Sequence, residues 1–188
     1  LLKYIKEFEK YVLITGFRNV QIKDTEKLLK KMHEVKPSSV ELQIFNAKFV
    51  ATWQHVYFAV LNALTAFRNK DNISKSLAME ILIYASAQRQ ILKAMRNLGI
   101  RPETSEIALV IVGDNSKNVR FALSKFSTIA EMQEDETVLK LTREKVNLIQ
   151  ERFEISDLEL KTMMGKDGLD KALTNLVIER MALLATQR

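Results

Sequence analysis

Residues 107–112 read IALVIV, six apolar residues without a polar interruption. A run of this kind predicts a strand covered on both faces, and such a strand belongs in the middle of a sheet with other elements layered on either side. Outward from it, residues 11–17 (YVLITGF) are rich in β-branched and aromatic side chains between charged flanks, which predicts another strand. In residues 40–44, Val40, Leu42 and Ile44 alternate with Glu41 and Gln43, the period of a strand with one wetter face. A brief strand is expected at residues 137–141. Helical periodicity fills most of the remainder: about residues 24–36, opened by Asp24 and stopped by Pro37; 52–68; 74–98; 119–130; 142–152; 156–163; and 169–186. The expected fold class is α/β (α+β), a small mixed sheet of three or four strands with about seven surrounding helices, in a single domain over residues 1–188.

Composition excludes several chemistries. The chain has no cysteine, so disulfides, thiolate zinc sites and cysteine nucleophiles are ruled out. His33 and His55 stand apart, with no HExxH or other metal-ligand spacing, so the expectation is no catalytic residue, no metal and no cofactor. The turn VGDNSKN after residues 107–112 lacks both GxxxxGK[ST] and GxGxxG, and reads as a turn with a helix cap. Glu131, Glu134, Asp135 and Glu136 form a solvated acidic run without EF-hand spacing. No apolar stretch reaches membrane-spanning length, and LLKYIKEFEK has no signal-peptide core, so a soluble cytoplasmic protein is expected. A net charge of +6 and a pI near 9.4 point to an acidic partner, nucleic acid above all.

Residues 72–101, NISKSLAMEILIYASAQRQILKAMRNLGIR, carry the strongest local signal. Read as one long helix at 100° per residue, Ile73, Leu77, Ile81, Tyr84, Ile91, Leu92, Met95 and Leu98 share one side, while Lys75, Arg89, Lys93 and Arg96 cluster within roughly 60°. Asn72 or Ser74 can cap this helix and Gly99 can end it. Gln88 falls in the apolar sector. The helix over residues 52–68 is apolar over more than half its circumference and should be central, with a narrow strip of His55, Ala59, Asn62 and Ala66 where a neighbour can approach closely. In the last helix, Leu169, Leu173, Leu176, Val177 and Leu184 face a core, and Ile178, Met181, Ala182 and Ala185 continue round the other side, more apolar surface than one core needs.

At NAKFVATWQHVYFAVLNALTAF, NISKSLAMEILIYASAQRQILKAMRNLGI, EIALVIVGD and ALTNLVIERMALLATQ, in that order, the chain resembles the CGI/PRPK-binding (TPRKB-like) small subunit of the KEOPS/EKC complex. The likeness spans about residues 40–187, with SLAMEILIYASAQRQI its most specific block; Ala87 stands where a glycine is expected before Gln-Arg-Gln. What the resemblance implies is a non-catalytic subunit of the assembly that makes threonylcarbamoyladenosine in tRNA. It would dock on a PRPK-like atypical kinase/ATPase, associate through it with the threonylcarbamoyl transferase, and bind tRNA at its CCA tail.

On that footing Lys75, Arg89, Lys93 and Arg96 are expected to meet tRNA phosphates, and Asn72, Ser86 and Gln90 its unpaired bases. Ile178, Met181 and Ala185, joined by Ala59, Asn62 and Ala66, are expected to face the kinase-like subunit. Two alternatives stay open: a structural and regulatory scaffold that activates the kinase-like subunit without touching RNA, and an enzyme using Asp114 or the acidic run with a cation.

Overall fold

Strand β4 (Ile107–Gly113) is buried along its whole length and lies between β2 (Lys10–Arg18) and β3 (Val40–Asn46), the position that its unbroken apolar run demands. The structure, a computed structural model, describes residues 1–130, 132–165 and 168–186. The sheet order is β1–β2–β4–β3, with β1 (Leu2–Ile5) on one edge and the two-residue β5 (Gln133–Glu134) pairing with β2 beyond the end of β1. All of these pairings are antiparallel, with Ile111 opposite Leu13 on one side and Leu42 on the other.

The fold is α+β as expected; among the described residues the sheet has five strands, close to the three or four expected, and its pairings are antiparallel rather than mixed. The short LKYI segment carries too few residues to show a period, and it becomes a strand because β2 templates it, Tyr4 opposite Tyr11. Residues 137–141 were expected as a strand; instead Glu136–Leu139 forms a 3-10 turn. The Asp135 carboxylate accepts from the Thr137 amide and starts that turn. Gly16 on β2 lets the turn sit close, since a Cβ there would lie 2.1 Å from Val138 Cγ2.

The pleat of β4 divides two cores. Ala108, Val110 and Val112 face a larger one built with α2 (Trp53–Asn69), α3 (Leu77–Ala85), α6 (Arg143–Phe153) and α8 (Gly168–Thr186). Ile107, Leu109 and Ile111 face a smaller one built with α1 (Thr25–Val35) and α5 (Ser116–Ala130). Asp24 caps α1 by accepting from the Lys27 amide, and Thr142 does the same for α6 at Lys145. A capping box of Ser156 and Glu159 starts α7 (Asp157–Met164), and Glu159 then takes a 2.6 Å bond from Arg180, tying α7 to α8. Arg180 and the hydrogen bonds from Ser156 hold the Glu159 carboxyl down at about 2.

The single helix expected over residues 74–98 is two. Helix α3 starts later, at Leu77, capped by Ser76 rather than Asn72 or Ser74, and ends at Ala85; α4 (Ile91–Leu98) follows after a link. The break is a Schellman closure: the Gln88 amide bonds to the Ile83 carbonyl and the Ala87 amide to the Tyr84 carbonyl, with Ala87 left-handed at φ 51°. Glycine is the usual residue there, and with alanine in its place the stop signal vanishes from the pattern.

Candidate nucleic-acid interface

The break in the helix redirects α4, and that single event shapes the candidate site. Of the apolar residues that one continuous helix would bury, Ile91, Leu92 and Met95 lie exposed, Leu92 by 69%, and only Ala94 and Leu98 of α4 are buried. A cleft of about 410 Å³ opens where α3 and α4 approach α1 past β3, the terminal strand of the sheet. Leu29, Met32 and His33 line it from α1, Gln43 and Ile44 from β3, and Met79, Ile91 and Met95 from the other side.

The approach to α3 is built by a residue outside the sequence-derived set. Glu80 is fully buried, and its carboxylate accepts from the amides of Ile73 at 3.1 Å and Ser74 at 2.7 Å. It folds residues 72–76 back over the helix start and leaves Lys75 exposed on a turn. Its signal in the sequence is a lone acid on an otherwise apolar helix, where a charge survives only with dedicated donors. Burial pushes the Tyr84 phenol up; the Glu80 charge adds to this, and the nearby Arg89 opposes it. On the far side of the link, His55 is completely buried on α2. Its Nδ1 accepts from the Ala51 amide and its Nε2 donates to the Ala85 carbonyl at 2.7 Å, so α2 braces the end of α3. Burial lowers the His55 pKa to about 4, with the positive Lys145 adding to the effect.

Of the residues expected to meet RNA, Lys75, Arg89, Gln90, Lys93 and Arg96 are exposed on the turn, the link and α4. Asn72 is half-buried and spends an amide hydrogen on the Ser74 carbonyl at 3.0 Å. Ser86 is 1% exposed and donates to the Ile83 carbonyl, so it is removed from the set: it ends α3 rather than facing a ligand. Gln90 is the N-cap of α4 without a side-chain cap bond, which leaves the helix N-terminal amides and their partial positive charge beside Arg89.

Of the residues expected to face the kinase-like subunit, Ala59 and Ala66 are buried, because α3 and α8 pack against α2 and use its small side chains themselves. Met181 is 0% exposed and belongs to the larger core. Asn62 and Ile178 are half-buried. The Ala185 side chain lies outside the described residues. Among the described residues, the large apolar side chains exposed on α2, α7 and α8 are instead Phe58, Leu158, Met163 and Leu183.

The carboxylates considered for cation chemistry are engaged. Asp114 pairs with Lys10, Glu134 accepts from Thr15 and Asp135 from Thr137; Glu131 lies outside the described residues. No group of three His, Asp or Glu among the described residues is placed to hold a metal.

Charge is distributed unevenly around the cleft. Residues 23–36 and 116–130, which include α1 and α5, hold eight Lys and Arg against three Asp and Glu; residues 72–101 hold five against one. These segments carry a net +9 in a chain of net +6, so the remaining residues are net acidic.

Residues 17–185 match the family described as "Kinase binding protein CGI-121". The chain is also similar to "Regulatory protein Cgi121" of Methanocaldococcus jannaschii, with 30% identity over 144 residues, covering 77% of this chain and 85% of that protein.

Proposed function

This chain belongs to the kinase-binding CGI-121 family, and from that membership and the charge around its cleft we propose that it is a non-catalytic subunit of a KEOPS-type assembly, binding the kinase-like ATPase and recruiting tRNA by its CCA end. The observation that carries the RNA half is that the basic excess of the whole chain is gathered beside one apolar cleft. Lys75, Arg89, Lys93 and Arg96 neutralise phosphates of the tail, while Ile91, Leu92 and Met95 receive its unstacked bases and Asn72 and Gln90 supply polar contacts. Exposed apolar side chains interleaved with cations suit a single strand, whose bases offer apolar faces and whose backbone offers charge.

The kinase-like partner takes the helical layer, through Asn62 and Ile178 with the exposed Phe58. Contact with the threonylcarbamoyl transferase is indirect, through that partner. The setting proposed is cytoplasmic, without membrane contact; among the described residues no helix is long and apolar enough to cross a membrane. The scaffold alternative, in which the cations are solvated surface and only the helical layer is functional, rests on the exposure of Phe58, Leu158 and Leu183.

Filter binding with full-length tRNA and with tRNA lacking its CCA tail separates the two. Recruitment requires tighter binding to the intact tRNA, lost in Lys93→Glu/Arg96→Glu; equal binding to both RNAs, or none, leaves the scaffold. Phe58→Glu should abolish co-purification with the kinase-like subunit while tRNA binding persists, whereas Met181→Glu would unfold the core and test nothing about the interface.

A further inference from the structure

The larger share of the charge excess lies outside the set of residues read from the sequence. Lys23, Lys27, Lys30 and Lys31 are exposed along α1 and just before it, and none of them forms an ion pair among the described residues. On a helical wheel Lys27, Lys30 and Lys31 of α1 span about 100° with only Glu34 among them. Helix α5, which packs beside α1, contains Lys117, Arg120 and Lys125, all exposed, and no acidic residue. The inner face of α1 is a wall of the cleft, through Leu29, Met32 and His33. An RNA whose tail occupies the cleft therefore has this basic surface next to it.

The chemistry of the two surfaces differs. Around α4 the cations alternate with exposed Ile91, Leu92 and Met95; the lysine stripe of α1 has no aromatic or apolar side chain among its members. Phe121, the exposed aromatic of α5, already has Lys125 Nζ 5.3 Å from its ring centroid. A surface of lysines without stacking groups reads phosphates and not bases, and suits RNA whose bases are paired and turned inward.

We propose that the outer face of α1 and α5 is a second RNA-contacting surface that grips the phosphates of a paired stem, while the cleft takes the unpaired tail; this rests on the tRNA-binding function proposed above. The split gives each surface a separate role, with tail contacts supplying selectivity and stem contacts supplying affinity and salt sensitivity.

The test compares Lys27→Gln/Lys30→Gln/Lys31→Gln with the unmodified protein on three probes: full-length tRNA, a short single-stranded RNA ending in CCA, and a blunt hairpin without a tail. All three side chains are exposed, so the fold is retained, which circular dichroism checks; Lys117→Gln/Arg120→Gln/Lys125→Gln is the second variant. Expected are weakening on tRNA by about tenfold or more, a plot of log affinity against log salt shallower by about 2–3 from three lost phosphate contacts, the same loss on the hairpin, and no change on the tail RNA. Equal weakening on the tail RNA would assign these lysines to the tail, and unchanged tRNA binding would remove them from the interface; either overturns the proposal. If the unmodified protein binds none of the probes, the recruiting function itself fails. Binding of tRNA by Lys93→Glu/Arg96→Glu, measured alongside, separates loss of the tail site from loss of the stem site.

Discussion

Acidification should weaken this fold through His55, by an amount set by its burial. In the folded chain the ring is fully enclosed, accepts from the Ala51 amide at Nδ1, donates to the Ala85 carbonyl at Nε2, and titrates at about 4 against 6.5 when unperturbed. Lys145 of α6, itself lowered to about 8 by burial, further opposes a second positive charge through its own. Between pH 6.5 and 4 the unfolded chain binds a proton that the folded chain refuses, so stability is fully present above 6.5 and is lost as pH falls towards 4. From pH 7 to pH 5 the loss is about 2 kcal/mol, with a ceiling of about 3.4 kcal/mol below pH 4. For a domain of this size that lowers Tm by about 4–8 °C. Urea denaturation at pH 7, 6 and 5 measures it, with His55→Gln as the reference that cannot titrate. The unmodified protein should lose about 2 kcal/mol more than the variant across this range. Parallel losses in both proteins, or a His55 titration by NMR near 6.5, would show that the ring is not sealed as described. Because His55 holds the end of α3, the amides of the link at residues 86–90 should also lose protection, measured against their intrinsic exchange rates, as the pH falls.

Two further perturbations test the elements that shape the cleft. Ala87→Gly should leave the fold intact and stabilise it by up to about 1 kcal/mol, the left-handed penalty of alanine, about 1–2 kcal/mol, being offset in part by the greater freedom of glycine in the unfolded chain. Ala87→Val should cost at least as much in the opposite direction; equal urea midpoints for all three residues would contradict a left-handed position 87. Glu80→Ala should destabilise by about 2–6 kcal/mol, since the Ile73 and Ser74 amides lose their acceptor at a cost of about 1–3 kcal/mol each. It should also weaken tRNA binding through the displaced Lys75 turn, and a loss below about 1 kcal/mol in denaturant titration would show that water takes over the role of the carboxylate.

Where local pattern and tertiary environment demanded the same thing, the sequence by itself was enough. The apolar run of β4, the alternation of β3, the caps at Asp24 and Thr142 and the core stripe of α8 are all short-range signals, and each element formed close to its expected bounds. The resemblance carried by the ordered blocks over residues 40–187, SLAMEILIYASAQRQI above all, likewise sufficed to indicate the family. What it left open depended on contacts distant in sequence. Strand β1 exists through pairing with β2, and Met181 faces inward because neighbouring elements close over it. The division of 72–101 into two helices rests on one alanine held at positive φ, a conformation that its side chain does not advertise. Because of that break, Ile91 and Met95 border a cleft and Leu92 lies exposed instead of filling a core, and Ser86 is buried away from the cleft. The basic face of α1 and α5 shows the same limit: its cations lie almost a hundred residues apart in the chain, and only the packing of both helices on one side of the sheet makes them a single surface.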